Sequence, residues 1–262
     1  MTDNAISEGS ELSAPARFRI ACRFTLMILA LIACLPGHYL WKLSGRRSPW
    51  PRIFLGWIGW IAGARVQCDG RPLRSHVLFV ANHVSWLDIM IVAGATGAAF
   101  VSRDDVARWP VFGWLARLND TIFVARASRG AVHDQAKTLR AALETGQPVA
   151  LFPEGTTEGG AAVLPFRASL MAAAVPPADG LKVQPLAIDY GAAAHDIAWI
   201  GSESARANAG RLLARRGGLS VKLHFLEPID PAEIGDRKAL AVLARERIVS
   251  RLEASASDPD PI

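Results

Sequence analysis

The stretch that most constrains this chain is the apolar run Val77–Ala81 together with the residues that follow it. Five consecutive apolar residues predict a short buried strand. Asn82 comes next, a residue type common in turns and helix caps, and a helical pattern begins near residue 85. A buried strand that passes directly into a helix is typical of α/β proteins, in which functional residues often lie at such junctions.

His83 lies at this junction, and Asp88 follows five residues later. If His83 precedes the helix and Asp88 lies in its second turn, the carboxylate reaches back to the imidazole ring. Such a pair acts as a general base with an orienting carboxylate. The chain has 6 histidines, so roughly 0.3 pairs at this spacing are expected by chance. The spacing alone is therefore weak evidence for catalysis.

From residue 75 onwards, short apolar segments alternate with helical patterns. The predicted strands cover residues 77–81, 99–102, 121–125, 149–152, 183–188 and 220–225. The predicted helices cover residues 85–94, 104–118, 131–145, 167–174, 203–215 and 236–253. This alternation predicts an α/β domain over residues 71–255, with a single mixed sheet flanked by helices. Residues 1–16 are predicted to be a disordered N-terminus and residues 256–262 a loose tail.

Residues 17–70 are predicted to form a pair of membrane-associated helices before this domain. The first apolar run, residues 24–35, is shorter than the ~20 residues that span a bilayer, and the Pro-Gly-His sequence at 36–38 is expected to break it. A second apolar run covers residues 50–66. Basic residues before and between the runs favour two helices partly embedded in the cytoplasmic leaflet of the inner membrane. A signal peptide and a pair of buried core helices are the alternatives.

The overall composition is both apolar and basic. Hydrophobic residues make up 51% of the 262 residues, charged residues 20%, and the net charge is +5. A basic, apolar chain favours anionic membrane surfaces, phosphate-bearing substrates or acidic carriers. The arginines are scattered rather than clustered with aromatic residues, which argues against nucleic acid as a partner. The 3 cysteines show no metal-binding or disulfide spacing.

Three further segments are candidates for a substrate site. Arg126 follows a predicted strand and is placed to offer a bidentate donor to an anion. In Phe152-Pro153-Glu154-Gly155-Thr156 a strand ends in a glycine-containing turn, whose backbone N–H groups and hydroxyl can bind phosphate. Pro185 lies near the start of the strand at 183–188. Taken singly, each has an ordinary explanation as a surface charge, a plain turn or an edge-strand residue.

Taken together and in this order, the four segments resemble the glycerolipid acyltransferase family, and most closely its 1-acylglycerol-3-phosphate O-acyltransferases. The resemblance covers residues 75–200 and includes the HxxxxD block, the arginine after a strand, the FPEGT block and the Val-x-Pro block. It implies an O-acyltransferase that moves a fatty acyl group from acyl-CoA or acyl carrier protein to a lysolipid. The expected acceptor is 1-acyl-sn-glycerol-3-phosphate. Neither a metal nor a cofactor beyond the acyl donor is implied.

The resemblance also implies roles for particular residues. His83 is expected to be the general base, and Asp88 to orient it. The expected substrate-binding residues are Arg126, Glu154, Gly155, Thr156, Arg167 and Pro185. The chain departs from the family at Thr157-Glu158, because the family commonly has a basic residue directly after FPEGT. Either Arg126 and Arg167 compensate, or the acceptor has another head group, such as that of a lyso-ornithine lipid.

Two other classes of function share the same features. In a thioesterase, the His83–Asp88 pair would activate water instead of a lipid hydroxyl. A non-enzymatic membrane-surface protein would keep the fold with degenerate motifs, which the intact motif residues disfavour. A covalent acyl-enzyme is not implied, because the sequence has no GxSxG motif and its cysteines lie outside the motifs.

Overall fold

The strand predicted at Val77–Ala81 lies in the middle of a mixed sheet. The computed structural model of the protein describes residues 12–104, 106–124, 129–157, 159–160, 162–201 and 203–257. Its strands are β1 (Ala64–Asp69), β2 (Val77–Ala81), β3 (Ala99–Arg103), β4 (Ile122–Val124), β5 (Val149–Leu151), β6 (Lys182–Asp189) and β7 (Leu219–Phe225). Within the described residues these seven strands form one sheet in the order β1-β7-β6-β2-β5-β3-β4. The predicted fold class is confirmed.

Helices pack on both faces of this sheet. They are α1 (Ala14–Lys42), α2 (Trp50–Ala62), α3 (Leu87–Thr96), α4 (Pro110–Leu118), α5 (Arg129–Glu144), α6 (Ala194–Ile197), α7 (Ala205–Ala214), α8 (Pro231–Ile234) and α9 (Arg237–Ser257). Short 3₁₀ turns lie at Val106–Arg108, Ala168–Ala174 and Gly191–Ala193. The five side chains of β2 are buried and alternate between two cores. Phe79 faces α2, α3 and α7, whereas Leu78 and Val80 face α5 and α9.

The strand directions bring several chain ends to one edge of the sheet. Neighbouring strands are parallel except β6 and β7, which are antiparallel. The carboxyl ends of β2, β5 and β6 therefore lie at the same edge as the amino ends of β7 and β1. We call this the carboxyl edge. In sheets of this kind it is the usual position of a functional site.

The N-terminal helix differs from the prediction. A break was expected at residues 36–38, but α1 continues through Pro36 to Lys42. A proline inside a helix costs about 3 kcal/mol. This cost is offset by packing of α1 on α2, where Gly37 leaves room for the ring of Trp50. By length and composition, α1 is apolar and long enough to cross a membrane, and its apolar side chains are mostly exposed.

The second apolar run also differs from the prediction, since residues 50–66 are not a single helix. The helix α2 ends at Gly63, whose φ of 113° is a left-handed conformation that favours glycine. The chain then enters β1, which pairs with β7 along its whole length. The sheet domain therefore begins at residue 64 rather than 71, and the pair of helices ends at residue 62.

Smaller differences concern element ends. The helix α1 begins at Ala14, inside the segment predicted to be disordered, and α9 extends to Ser257, inside the predicted tail. The predicted helix at 104–118 is divided, because Pro110 starts a new helix at its first position. The predicted helix at 167–174 is a 3₁₀ segment. The short helices α6 and α8 were not predicted.

A close glycine contact holds α2 against α3. A Cβ atom added to Gly94 would lie 2.6 Å from the Cα of Gly56. We expect Gly94→Ala to lower the free energy of unfolding by about 1–3 kcal/mol, because the two helices have to move apart. Denaturation of the detergent-solubilised protein measures the change.

The matched control is Gly210→Ala in α7, where an added Cβ meets no atom within 4 Å. That change should raise the free energy of unfolding by about 0.5–1 kcal/mol, since alanine is the better helix former. Equal effects of the two substitutions would contradict a specific role of the Gly56–Gly94 contact.

Candidate active site

His83 and Asp88 meet at the carboxyl edge, directly after β2. The Nδ1 atom of His83 lies 2.8 Å from Oδ2 of Asp88, so the predicted contact is present. Asp88 lies in the first turn of α3 rather than the second, because the helix begins at Leu87. Its side chain is fully buried, whereas that of His83 is 16% exposed. With Nδ1–H donated to Asp88, Nε2 is the ring atom with a lone pair available to accept a proton.

The carboxylate of Asp88 accepts hydrogen bonds on both oxygens. Oδ2 also accepts from the backbone N–H groups of Val84 (2.7 Å) and Ser85 (2.9 Å). Oδ1 accepts from the hydroxyl of Tyr190 at 2.5 Å. A buried carboxylate is costly unless such donors compensate for the lost water. These donors therefore satisfy both oxygens of the buried Asp88 carboxylate.

Tyr190 is a site residue that sequence reasoning missed. It follows β6 and is 102 positions away from Asp88 along the chain, so no local spacing links the two. Burial, and then the negative charge of Asp88, raise the pKa of Tyr190 well above its ordinary value. The hydroxyl therefore stays protonated and acts as a donor. The one available signal was a polar aromatic residue two positions after the strand predicted at 183–188.

Asn82 fixes the relative position of the two strands that carry these residues. Its side-chain Nδ2 donates to the carbonyl oxygen of Ile188 at 3.0 Å, and its Oδ1 accepts from the N–H of Ile188 at 2.8 Å. The amide thus continues the pairing of β2 with β6 beyond the end of β2. Since Tyr190 follows Ile188 by two residues, this bridge helps to place its hydroxyl on Asp88.

The imidazole ring of His83 is also held by an aromatic neighbour. Phe152, directly after β5, stacks on it with a centroid separation of 4.0 Å and an interplanar angle of 10°. Phe100 of β3 lies in turn 5.8 Å from Phe152. The ring plane is therefore set by strands on one side of β2, while its tautomer is set by Asp88.

The side chain of Glu154 binds the backbone of His83. Oε1 accepts from the N–H of His83 at 2.8 Å, and Oε2 accepts from the N–H of Leu164 at 2.9 Å. Burial raises the pKa of the Glu154 carboxyl above its ordinary value, and the two backbone donors act in the opposite direction. Both oxygens are engaged, so these contacts position His83. The substrate-binding role of Glu154 stays a prediction.

A cation lies over the turn that follows Glu154. The φ of Gly155 is 71°, and a Cβ added there would come within 3.1 Å of the guanidinium carbon of Arg167. The N–H of Arg167 donates to the carbonyl of Pro153 at 2.9 Å, which brings its backbone to the same turn. Thr156 and Arg167 are both exposed. The turn therefore presents a hydroxyl and a positive charge to solvent beside the His83 loop.

The other two predicted substrate-binding residues are Pro185 and Arg126. Pro185 is buried inside β6, opposite Val80 of β2, so its side chain belongs to the sheet interior. Arg126 lies outside the described residues, and its predicted role stays a prediction. The structure thus brings together His83, Asp88, Glu154, Gly155, Thr156 and Arg167.

This chain is similar in sequence to known proteins. A model of the Acyltransferase family matches residues 65–189. A lyso-ornithine lipid O-acyltransferase of Pseudomonas aeruginosa is 33% identical over 255 residues, covering 92% of this chain and 96% of that protein. A 1-acyl-sn-glycerol-3-phosphate acyltransferase of Neisseria gonorrhoeae is 32% identical over 201 residues, covering 72% of this chain and 74% of that protein.

A solved structure shows the same fold. The 1-acyl-sn-glycerophosphate (LPA) acyltransferase of Thermotoga maritima superposes with a TM-score of 0.66 at 23% identity, covering 91% of this chain and 97% of that one. The chain belongs to the glycerolipid acyltransferase family, as its motifs predicted. More particularly, it is a lysolipid O-acyltransferase.

The hydroxyl of Tyr190 can be removed without changing the shape of the side chain. We expect Tyr190→Phe to lower the free energy of unfolding by about 1.5–3 kcal/mol, because Asp88 loses a donor to its buried charge. It should also lower kcat more than it raises KM, since the Asp88 carboxylate is less well held. Steady-state kinetics and thermal melting measure both effects.

The control is Tyr39→Phe, because the Tyr39 side chain is half exposed on α1. That variant should keep both the melting temperature and kcat. A Tyr190→Phe enzyme with wild-type kcat would show that the hydroxyl of Tyr190 has no influence on the reaction.

Proposed function

We propose that His83 is the general base for transfer of a fatty acyl group from acyl-CoA or acyl carrier protein to the free hydroxyl of a lysolipid. The observation that carries this proposal is the 2.8 Å contact between Nδ1 of His83 and a fully buried, hydrogen-bonded Asp88. A hydroxyl is a poor nucleophile at neutral pH, so a base has to take its proton as it attacks the thioester carbonyl.

In this mechanism Nε2 of His83 takes the hydroxyl proton while Asp88 holds Nδ1–H and stabilises the imidazolium. The C–O bond of the new ester forms, the C–S bond breaks, and the thiolate leaves and takes the proton back from the imidazolium. General base catalysis of this kind contributes about 10²–10⁴-fold. Positioning of the two substrates and stabilisation of the oxyanion supply the rest.

For the acceptor we favour a lyso-ornithine lipid, with 1-acyl-sn-glycerol-3-phosphate as the second candidate. The Pseudomonas aeruginosa relative of that name matches nearly the whole chain, whereas the Neisseria gonorrhoeae relative matches 72% of it. The sequence also has Thr157 directly after FPEGT, where the family commonly has a cation. An ornithine head group carries an ammonium as well as a carboxylate, so the loss of that cation disfavours a phosphate more than an ornithine head group.

The proposal also states where the enzyme lies and where it meets its acyl donor. The exposed apolar side chains of α1 and the lipid substrates of the family suggest membrane association. We place the enzyme on the cytoplasmic face of the inner membrane, because coenzyme A and acyl carrier protein thioesters are cytoplasmic. The same location was predicted from the sequence, with two helices partly embedded in one leaflet.

One experiment separates the acceptors and the thioesterase alternative. The purified enzyme is incubated with an acyl thioester and equal amounts of lysophosphatidate and lyso-ornithine lipid, and the products are identified by mass. We expect diacylated ornithine lipid as the main product. Phosphatidic acid as the main product would select the second acceptor, and free fatty acid alone would indicate hydrolysis.

His83→Ala tests the catalytic proposal. We expect turnover to fall by at least about 10²-fold, since the general base is lost. The protein should stay folded, with a melting temperature lowered about as much as in Tyr190→Phe, because Asp88 loses one donor in each variant while the backbone bond from His83 to Glu154 is retained. Retention of more than a tenth of wild-type turnover would contradict this role.

Arg167→Ala tests the anion-binding turn. We expect the KM of an acceptor with a phosphate or carboxylate to rise about 10- to 150-fold, the equivalent of a charge-assisted hydrogen bond worth ~1.5–3 kcal/mol. Arg167→Lys should restore part of the affinity, because an ammonium keeps the charge without the planar fork. Steady-state kinetics on the two acceptors measure these changes.

A monoacylglycerol, which lacks the anionic group, should be used equally well by the wild type and Arg167→Ala. The control variant is Arg237→Ala, an exposed arginine at the start of α9. An equal loss on charged and uncharged acceptors would exclude Arg167 from the head-group site.

A further inference from the structure

Four arginine side chains converge where α1 meets the end of α7 and the start of β1. They are Arg19 and Arg23 of α1, Arg65 of β1 and Arg215, which follows α7. A Cβ added at Gly63 would lie 3.4 Å from Nη2 of Arg23, and one added at Gly218 would lie 3.5 Å from Cγ of Arg65 and 3.6 Å from the carbonyl oxygen of Gly63, so these side chains meet beside the same turn. We call this group the arginine cluster. Its members come from three separate parts of the sequence, so the fold and not a local charge run assembles it.

Two members bind the carboxyl end of α7. The Nε atom of Arg19 donates to the carbonyl of Ala214 at 2.9 Å, and Nη1 of Arg23 donates to the carbonyl of Leu213 at 2.9 Å. Nη2 of Arg23 approaches the carbonyl of Gly217 at 3.5 Å. The last carbonyls of a helix carry partial negative charge, so these contacts are favourable. They fix the two guanidinium groups but neutralise a full charge on neither.

The other two members complete the cluster from the sheet side. Nη1 of Arg65 donates to the carbonyls of Trp60 (3.1 Å) and Ala64 (3.2 Å), and its guanidinium lies over the Trp60 ring. Nη1 of Arg215 pairs with the exposed carboxylate of Asp196 at 2.9 Å. Within the described ranges, Asp196 is the carboxylate that pairs with a member of the cluster. Among the described residues, Arg215 is therefore the one member with a carboxylate partner, whereas Arg19, Arg23 and Arg65 donate to carbonyl oxygens.

Such an arrangement is unfavourable without a further anion. Like charges held close together repel each other, and this repulsion is only partly screened for side chains that are not fully exposed. Guanidinium groups bind phosphate oxygens in bidentate geometry more readily than ammonium groups do. The cluster therefore has the composition and the fixed geometry of a phosphate site.

The position of the cluster indicates which phosphate. Arg23 directly precedes the uncharged run at residues 24–35, whose side chains Phe24, Leu29 and Ile32 are more than half exposed. Arg65 lies beside Trp60, which is also more than half exposed. The cluster therefore lies at the boundary between a polar surface and an apolar one, the depth at which lipid head groups lie.

We propose that the arginine cluster binds the phosphate of an anionic phospholipid whose acyl chains lie along the apolar face of α1 and α2. The cluster lies at the amino ends of β1 and β7, which is the carboxyl edge that also holds His83. A lipid bound there holds this edge at the membrane surface. The lipid is a structural ligand, separate from the acceptor and the acyl donor.

Native mass spectrometry of the full-length protein tests this binding and does not depend on acyl transfer. The protein in neutral detergent is mixed with equal amounts of phosphatidylglycerol and phosphatidylcholine. We expect the wild type to retain phosphatidylglycerol preferentially. The double variant Arg65→Gln/Arg215→Gln should bind it roughly 25-fold more weakly, about fivefold for each charge lost at a membrane surface.

Two further variants keep the test decisive. Arg237→Gln/Lys238→Gln removes the same charge at the start of α9, away from the cluster, and should leave retention unchanged. Arg65→Lys/Arg215→Lys keeps the charge and should retain most of the binding. If the first double variant fails to fold, as its melting temperature would show, Arg65→Gln alone should weaken binding about fivefold.

Three results would overturn the proposal. Equal retention of the two lipids by the wild type would show that no phosphate site selects anionic lipid. Undiminished retention by Arg65→Gln/Arg215→Gln would locate the lipid elsewhere. Displacement of phosphatidylglycerol by coenzyme A at equal concentration would assign the cluster to the acyl donor instead of a lipid.

Discussion

The structure of the site depends on satisfying one carboxylate in the protein interior. Asp88 is fully buried, and its two oxygens accept four hydrogen bonds, from His83, Val84, Ser85 and Tyr190. Two of these donors are backbone groups of the loop between β2 and α3, so the loop has to fold around the carboxylate. The bond from Tyr190 ties the same carboxylate to β6. A carboxylate satisfied in this way orients a histidine without needing water.

Glu154 also holds His83, from the turn that follows β5. It is a buried carboxyl whose oxygens accept from the backbone N–H groups of His83 and Leu164, and so it joins the loop after β2 to the turn after β5 and the segment that follows it. His83 is thereby held at its ring by Asp88 and at its backbone by Glu154. The two acidic residues of the family motifs thus act on one histidine, while the exposed part of the FPEGT turn faces solvent.

The sequence predicted the parts of this arrangement that depend on local patterns. The strand Val77–Ala81 and the His83–Asp88 contact follow from a short apolar run and a spacing of five residues. The parts that depend on distant packing were not predictable in this way. The contact of Tyr190 with Asp88 of α3 and that of Asn82 with Ile188 of β6 each join residues over 100 positions apart. Likewise, α1 continues through Pro36 because α2 supports it, which no local rule reveals.

The chain enters the sheet directly from the apolar helices, and this affects how a lipid reaches His83. The helix α2 turns at Gly63 straight into β1, whose first residues lie at the carboxyl edge, so no spacer separates the apolar helices from that edge. Full extraction of an acyl chain from a bilayer costs about 0.8 kcal/mol per methylene. On the placement proposed above, with α1 and α2 embedded in the leaflet, a substrate would arrive by lateral diffusion and lift only its head group out of the membrane. Its acyl chain would then stay in the hydrocarbon layer throughout the reaction.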